Sequence, residues 1–234
     1  MGIGKWMTNK VTDKMAGWMT PRFPANGAAL QVSIDDTIAE DYDDTVRQAI
    51  TVFGDLIKEV TISKEKLPAE CWCPKRKQYN VISLVLPRQK VLRLYLVGGD
   101  IFMKSMNWAY GITSPLTGVA TVGTARFTNS EIAIKLGLSF TRTATRAALT
   151  REVQHEVSHL FGLLDHPEGS HVGSCIMNQT MHVLPPGAFM MMAAEQKPTP
   201  SSVFCSDCNA WLAKFRNDMK ARNLKPYAER LLDA

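Results

Sequence analysis

Two kinds of hydrophobic spacing run along the chain. Between residues 43 and 60, Val46, Ala49, Ile50, Phe53, Ile57 and Val60 recur near every 3.6 residues, which gathers apolar side chains on one helical face. Asp43 and Asp44 open that segment, where a helix dipole favours negative charge. The spacing therefore predicts one helix over 43–60. The next stretch, PAECWCPKRKQYN (68–80), is polar and without period, and is expected to be irregular. VISLVLP (81–87) and KVLRLYLVGG (90–99) are short apolar runs closed by Pro87 and by Gly98 and Gly99. They predict strands, as does GVATVGTARF (118–127).

Helical spacing returns in TRTATRAALTREVQHEVSHLFG (141–162), with Ala, Leu and Val on the face to be buried and Gly162 as the stop. Residues 163–202 are rich in Gly, Pro and Met and show little period. A last amphipathic helix is expected over 209–223. At the other end, Met7, Val11, Met15, Trp18 and Met19 fall near helical spacing within a basic segment. A frayed or locally packed tail over 1–24 is the simpler expectation. The alternative is a basic amphipathic helix in weak contact with a membrane surface or a partner. Strands followed by helices, with a long helix near the middle, indicate an α+β fold whose cleft lies beside that helix.

Composition narrows the classes. A chain of 234 residues, 45% of them hydrophobic, suits one large domain or two lobes sharing a cleft. The net charge of +5 sits in the two ends, with the middle close to neutral. That distribution describes basic tails, not a nucleic-acid groove, and no nucleic-acid motif is present. No apolar run is long enough to cross a bilayer, and the first residues lack the apolar centre of a secretory signal. An intracellular, cytoplasmic, monomeric protein is expected. There are 5 Cys: Cys71, Cys73, Cys175, Cys205 and Cys208. An odd count without a secretory signal argues against a disulfide framework and for metal ligation by the last three. Cys71 and Cys73 are expected to be a plain pair of thiols.

The sharpest chemistry is HEVSHLFGLLDH (155–166). His155 and His159 are four apart, so a helix places both imidazoles on one face, able to grip one Zn²⁺. Glu156, beside the first ligand, is placed to take a proton from a zinc-activated water. The continuation through Gly162 resembles the metzincin frame H-E-x-x-H-x-x-G-x-x-ligand. Gly162 would break the helix sharply so that the chain turns back to the metal. The third ligand then falls on Asp165, with His166 next to it as the alternative and His171 as a more distant one. Metzincins also place a Met in a turn beneath the metal, and Met177 is the candidate. The Met190, Met191 and Met192 run reads as buried filler.

Cys205-x-x-Cys208 stands at the mouth of the last helix, as half of a structural zinc site often does. Cys175 and His166 would complete a Cys₃His set. A redox pair is the weaker reading, because no thioredoxin-like strand precedes it. Taken in order, His155, Glu156, His159, Gly162, Asp165, His166, Cys175, Met177, Cys205 and Cys208 resemble the archaemetzincins. PKRKQYN (74–80) and LVGGDIFMKSMNWAYGIT (96–113) look like that family too, and the resemblance covers roughly residues 40–220. It departs from the family at Asp165, where a His is usual, and at His166, where a Cys is usual; both replacements can bind metal.

The resemblance implies a metzincin-like zincin fold: a mixed sheet, a long active-site helix and a small irregular C-terminal lobe. It divides the chain into an upper lobe (25–162) and a lower lobe (163–234). It implies two Zn²⁺, one catalytic on His155, His159 and Asp165, one structural on His166, Cys175, Cys205 and Cys208. It also implies limited action on peptide or protein substrates, with aminopeptidase activity among some members. The strand at 118–127 is a candidate to pair with an extended substrate through its edge. Two competing readings are an idle, zinc-stapled binding module and a thermolysin-like site with Glu195 as third ligand.

Overall fold

The structure, a computed structural model, describes residues 3–85, 89–104, 106–128, 135, 139–167, 175–178 and 203–232, with side chains from residue 11 onward. In chain order its elements are α1 (Ile3–Met19), β1 (Ala28–Asp35), α2 (Asp43–Ile50), β2 (Ile57–Glu65), β3 (Trp72–Cys73), β4 (Gln78–Asn80), α3 (Ile82–Val85), β5 (Leu92–Val97), β6 (Ile101–Met103), β7 (Met106–Ala109), β8 (Gly111–Ser114), β9 (Val119–Gly123), α4 (Arg142–Leu160), α5 (Ser206–Lys220) and α6 (Lys225–Leu232). The main sheet runs β2-β1-β5-β9-β8, and a smaller one runs β3-β4-β6-β7. In the main sheet β2, β1, β5 and β9 are parallel, while β8 is antiparallel to β9. The class is α+β.

Side-chain alternation explains why this sheet is covered twice. Leu92, Leu94 and Leu96 of β5, with Ala120 and Val122 of β9, join the large core beneath α2 and α4. Tyr95, Val97 and Val119 point the other way, into a second core with Cys71, Val81, Leu84 and Ile101. Every residue of β9 is buried, as expected of a central strand that must satisfy both faces. The large core continues into the C-terminal part through Phe204, Leu212, Phe215 and Tyr227, and into the N-terminal part through Met15, Met19 and Phe23. Phe23 meets the Phe215 and Tyr227 rings edge-on at centroid distances of 5.1 and 5.8 Å. The basic segment 1–24 thus docks part of its length on the protein.

Several expectations need correction. The segment 43–60 is not one helix. It leaves the α conformation at Ile50, passes a 3-10 turn over Thr51–Leu56 with Gly54 at φ 53°, and becomes β2. Ile57 and Val60 mimicked helical spacing, but the run of β-branched residues there suits a pleated ladder, and β1 supplies one. Residues 82–85 are helical rather than extended, started by the Asn80 side chain accepting the Ile82 N–H at 3.2 Å. The polar segment 68–80 contains a small hairpin, β3 with β4. The C-terminal part is also less irregular than expected, because α6 follows α5.

Both ends of α4 are set locally. The Thr141 hydroxyl accepts the Ala144 N–H at 3.1 Å and caps the start. At the other end Gly162 N–H bonds to His159 O (2.9 Å) and Leu163 N–H to Ser158 O (3.3 Å). That is the Schellman pattern, and its left-handed residue is Gly162 at φ 76°.

Candidate metal centres and their cleft

α4 carries His155, Glu156 and His159 along the floor of a cleft of about 790 Å³, whose wall is the edge strand β8. The two imidazoles turn their Nε2 atoms toward each other, 3.0 Å apart. Asp165 Oδ1 lies 3.4 Å from His155 Nε2 and 3.6 Å from His159 Nε2. For a metal with bonds of about 2.0–2.1 Å, the edge of a coordination tetrahedron is about 3.3 Å. The three separations bracket that value, so the donors fit zinc without rearrangement.

The tautomers fit as well. His155 Nδ1 contacts Ile176 O at 3.0 Å, and His159 Nδ1 contacts Leu163 O at 2.7 Å. A carbonyl can only accept, so each Nδ1 carries the proton and each Nε2 lone pair faces the cleft. The turn after Gly162 therefore does two jobs. Its Leu163 carbonyl orients His159, and three residues past the glycine it delivers Asp165.

Glu156 is buried against β8. The Thr113 hydroxyl donates to Glu156 Oε2 at 2.5 Å and also lies 2.9 Å from the Glu156 backbone oxygen. Burial and then the nearby Glu152 carboxylate push the Glu156 carboxyl well above the usual carboxylate range; Thr113 pulls it down and Asp165 pushes it up. Gly111 makes the close approach feasible: a Cβ there would meet Glu156 Cγ at 2.4 Å.

A second donor cluster lies behind the first. His166 Nε2 is 3.3 Å from each of the Cys175, Cys205 and Cys208 sulfurs, and Cys175 Sγ is 3.8 Å from Cys208 Sγ. A tetrahedron with about 2.3 Å metal–sulfur bonds has sulfur–sulfur edges near 3.8 Å. The cysteines are free thiols rather than disulfides. The contact with Cys208 and the N–H groups of Cys205 and Met177 draw the Cys175 thiol down to about 4 against the effect of burial. Cys205 is the N-cap of α5 and Cys208 sits in its first turn; the contact with Cys175 and burial push the Cys208 thiol upward.

Seven of the residues singled out in the sequence form these two groups. Asp165, not His166, joins the histidine pair; His166 joins the cysteines. Met177 is buried, and its carbonyl accepts the His166 N–H at 2.7 Å. It belongs to the turn whose Ile176 carbonyl holds His155. His171, Glu195 and Met190–Met192 lie outside the described residues. The strand at 118–127 is not an edge: β9 lies between β5 and β8. The edge on the cleft side is β8, with β2 at the opposite edge; the hydrophobic pattern did not reveal β8 because it is only four residues long and half-buried throughout. Cys71 is buried, and burial together with Glu70 raises its thiol to about 11, so it is an inert core thiol.

Solved structures share this arrangement of chain. A zinc-dependent peptidase from Methanocorpusculum labreanum superposes with a TM-score of 0.59 at 18% identity, over 78% of this chain and 99% of that one. Archaemetzincin from Methanopyrus kandleri gives 0.59 at 18% identity, over 82% and 97%. The fold is that of the archaemetzincins. A third such structure, archaemetzincin from Archaeoglobus fulgidus solved with malonate, gives 0.56 at 18% identity over 78% of this chain and 99% of that one. No protein-family model and no curated protein matches the sequence. No described helix is long and apolar enough to cross a membrane.

Proposed function

We propose that this chain is a zinc-dependent peptidase of the archaemetzincin family, with an upper lobe (25–162) and a lower lobe (163–234) enclosing the cleft. One observation carries the reading. Two imidazole lone pairs and a carboxylate oxygen converge at zinc spacing, and a buried carboxylate that is not one of the three donors stands beside them on the cleft wall. A purely structural metal site has no use for such a base.

His155, His159 and Asp165 would hold the catalytic zinc, and His166, Cys175, Cys205 and Cys208 the structural one. Zinc in the first site supplies Lewis acidity, polarising a peptide carbonyl and acidifying water. Glu156 takes the proton from the attacking water and hands it to the leaving amine. Thr113 occupies Oε2, which leaves Oε1 for the proton. An extended peptide adds to the edge of β8 as a further strand, bringing its carbonyl past Glu156. Met177 and the turn around it buttress His155 from below, and the Gly162 turn sets the reach of Asp165.

The test is hydrolysis of a mixed peptide library by zinc-loaded protein, beside Glu156→Gln. Wild type should cleave, and the variant should lose at least a thousandfold in rate with its metal content unchanged. Equal rates in both proteins would remove Glu156 from the chemistry. No cleavage by either would leave the idle binding module as the better description.

A further inference from the structure

Below the Gly162 turn lies a second hollow of about 430 Å³, lined by Leu164, Trp211, Lys214, Pro226, Glu229 and Arg230. Leu164 lines the cleft as well, and so does Leu231, the neighbour of Arg230. The two spaces thus share a wall. The cation in the hollow is held firmly. Arg230 Nε–H donates to Gly162 O at 2.8 Å, and the guanidinium carbon lies 4.1 Å from the centre of the Trp211 ring. These contacts fix the guanidinium plane and use one of its five N–H donors. The terminal amino groups meet no partner among the described residues. Lys214, over the same indole at 5.5 Å, is already paired with Asp218 at 2.5 Å. Glu229, exposed on the rim, makes no ion pair with Arg230 among the described residues.

A half-buried guanidinium whose orientation is fixed but whose forked end is unused is suited to one class of ligand. It matches a carboxylate, which takes two parallel N–H donors. Gly162, which anchors the guanidinium, precedes Asp165 by three residues, or at most about 11 Å of chain. An extended substrate advances about 3.3 Å per residue.

We propose that Arg230 is a specificity-determining residue that binds a substrate carboxylate within about three residues of the cleaved bond, on the lower-lobe side. The carboxylate is either the C-terminus of a short peptide or an acidic side chain. The proposal rests on the peptidase reading, and binding is therefore measured apart from turnover. Zinc-loaded Glu156→Gln protein is titrated calorimetrically with three tripeptide-to-pentapeptide series: free acid, C-terminal amide, and amide with an internal Glu. The free acid should bind at least tenfold more tightly than its amide. Preference for the Glu-containing amide over the plain amide would identify the acidic side chain as the source instead. In either arm Arg230→Gln should bring the preference down to less than twofold, and Arg230→Lys should restore part of it. Equal binding of all three series to the Glu156→Gln protein overturns the proposal without any need for a foldable Arg230 variant. So does a preference that survives in a folded Arg230→Gln protein. If the peptides bind with the expected order but wild type cleaves none of them, the peptidase reading fails while the carboxylate site stands.

Discussion

Replacing Gly162 by Ala should be among the most damaging single-methyl changes available in this protein. Two costs add. The residue sits at φ 76°, where an L-residue with a Cβ loses about 1–2 kcal/mol. The new methyl would also lie 2.4 Å from Tyr227 Cε2 and 2.6 Å from Cδ2. Tyr227 cannot yield easily. Its ring is fully buried, in edge contact with Phe23 and Phe215, and its hydroxyl donates to Leu160 O at 2.6 Å. Overpacking of that kind costs about 1–3 kcal/mol, and the stiffer unfolded chain returns about 0.4–1 kcal/mol. The net loss is about 1–5 kcal/mol, which for a chain of this size lowers Tm by roughly 2–20 °C. Function should fall further than stability, because the same turn presents the Leu163 carbonyl to His159 and carries Asp165. The assay is urea unfolding of the chelator-treated protein, paired with a competition titration for zinc. A loss below about 1 kcal/mol with unchanged zinc affinity would refute the reasoning, since it would mean that the turn tolerates a side chain in this conformation.

Metal analysis should find two zinc equivalents per chain, with a chelator removing the one on His155, His159 and Asp165 first, because that site opens to the cleft while its neighbour is closed by three sulfurs. Asp165→Ala should lose the labile equivalent alone, whereas Cys205→Ser should lose the retained one and loosen α5 and α6, as seen by hydrogen exchange; the reverse pattern would swap the two sets. Thr113→Val removes the hydroxyl that holds Glu156 Oε2 and should lower kcat about tenfold to a hundredfold, the loss of a hydrogen bond to a charged group being about 1.5–3 kcal/mol; Thr113→Ser should recover most of it, and steady-state kinetics on both decides. Arg22 is buried and donates to the carbonyls of Pro115 and Leu116, so Arg22→Met should destabilise by about 2–4 kcal/mol and loosen the β8–β9 turn at the cleft rim, read by denaturant titration and hydrogen exchange.

The chemistry was written locally, and that is why it was legible. A spacing of four on a helix decides that His155 and His159 share a face, and a glycine three residues later decides where the helix ends. Short-range physics of this kind needs no partner. The 43–60 segment shows the opposite case. Its apolar positions fit a helix, and only the presence of β1 as a parallel neighbour turned its last four residues into the start of β2. The four-residue β8 had too few positions to display a period, yet it forms the wall that faces Glu156.

The amino-acid order alone established a helix bearing two imidazoles and a base, a glycine stop, and a supply of further metal-binding side chains, because each follows from neighbours within a few residues. The division of those side chains between two centres was decided by the fold. Asp165 and His166 are adjacent in sequence, but the chain direction after the Gly162 turn sends one toward the cleft and the other toward Cys175, Cys205 and Cys208. Cys205 and Cys208 reach that place only because α5 packs its Leu212 and Phe215 into the same core as α4. Which strand lies at the cleft-side edge, and which arginine keeps unused donors among the described residues beside the Gly162 turn, are likewise properties of contacts between segments far apart in sequence, which no local pattern encodes.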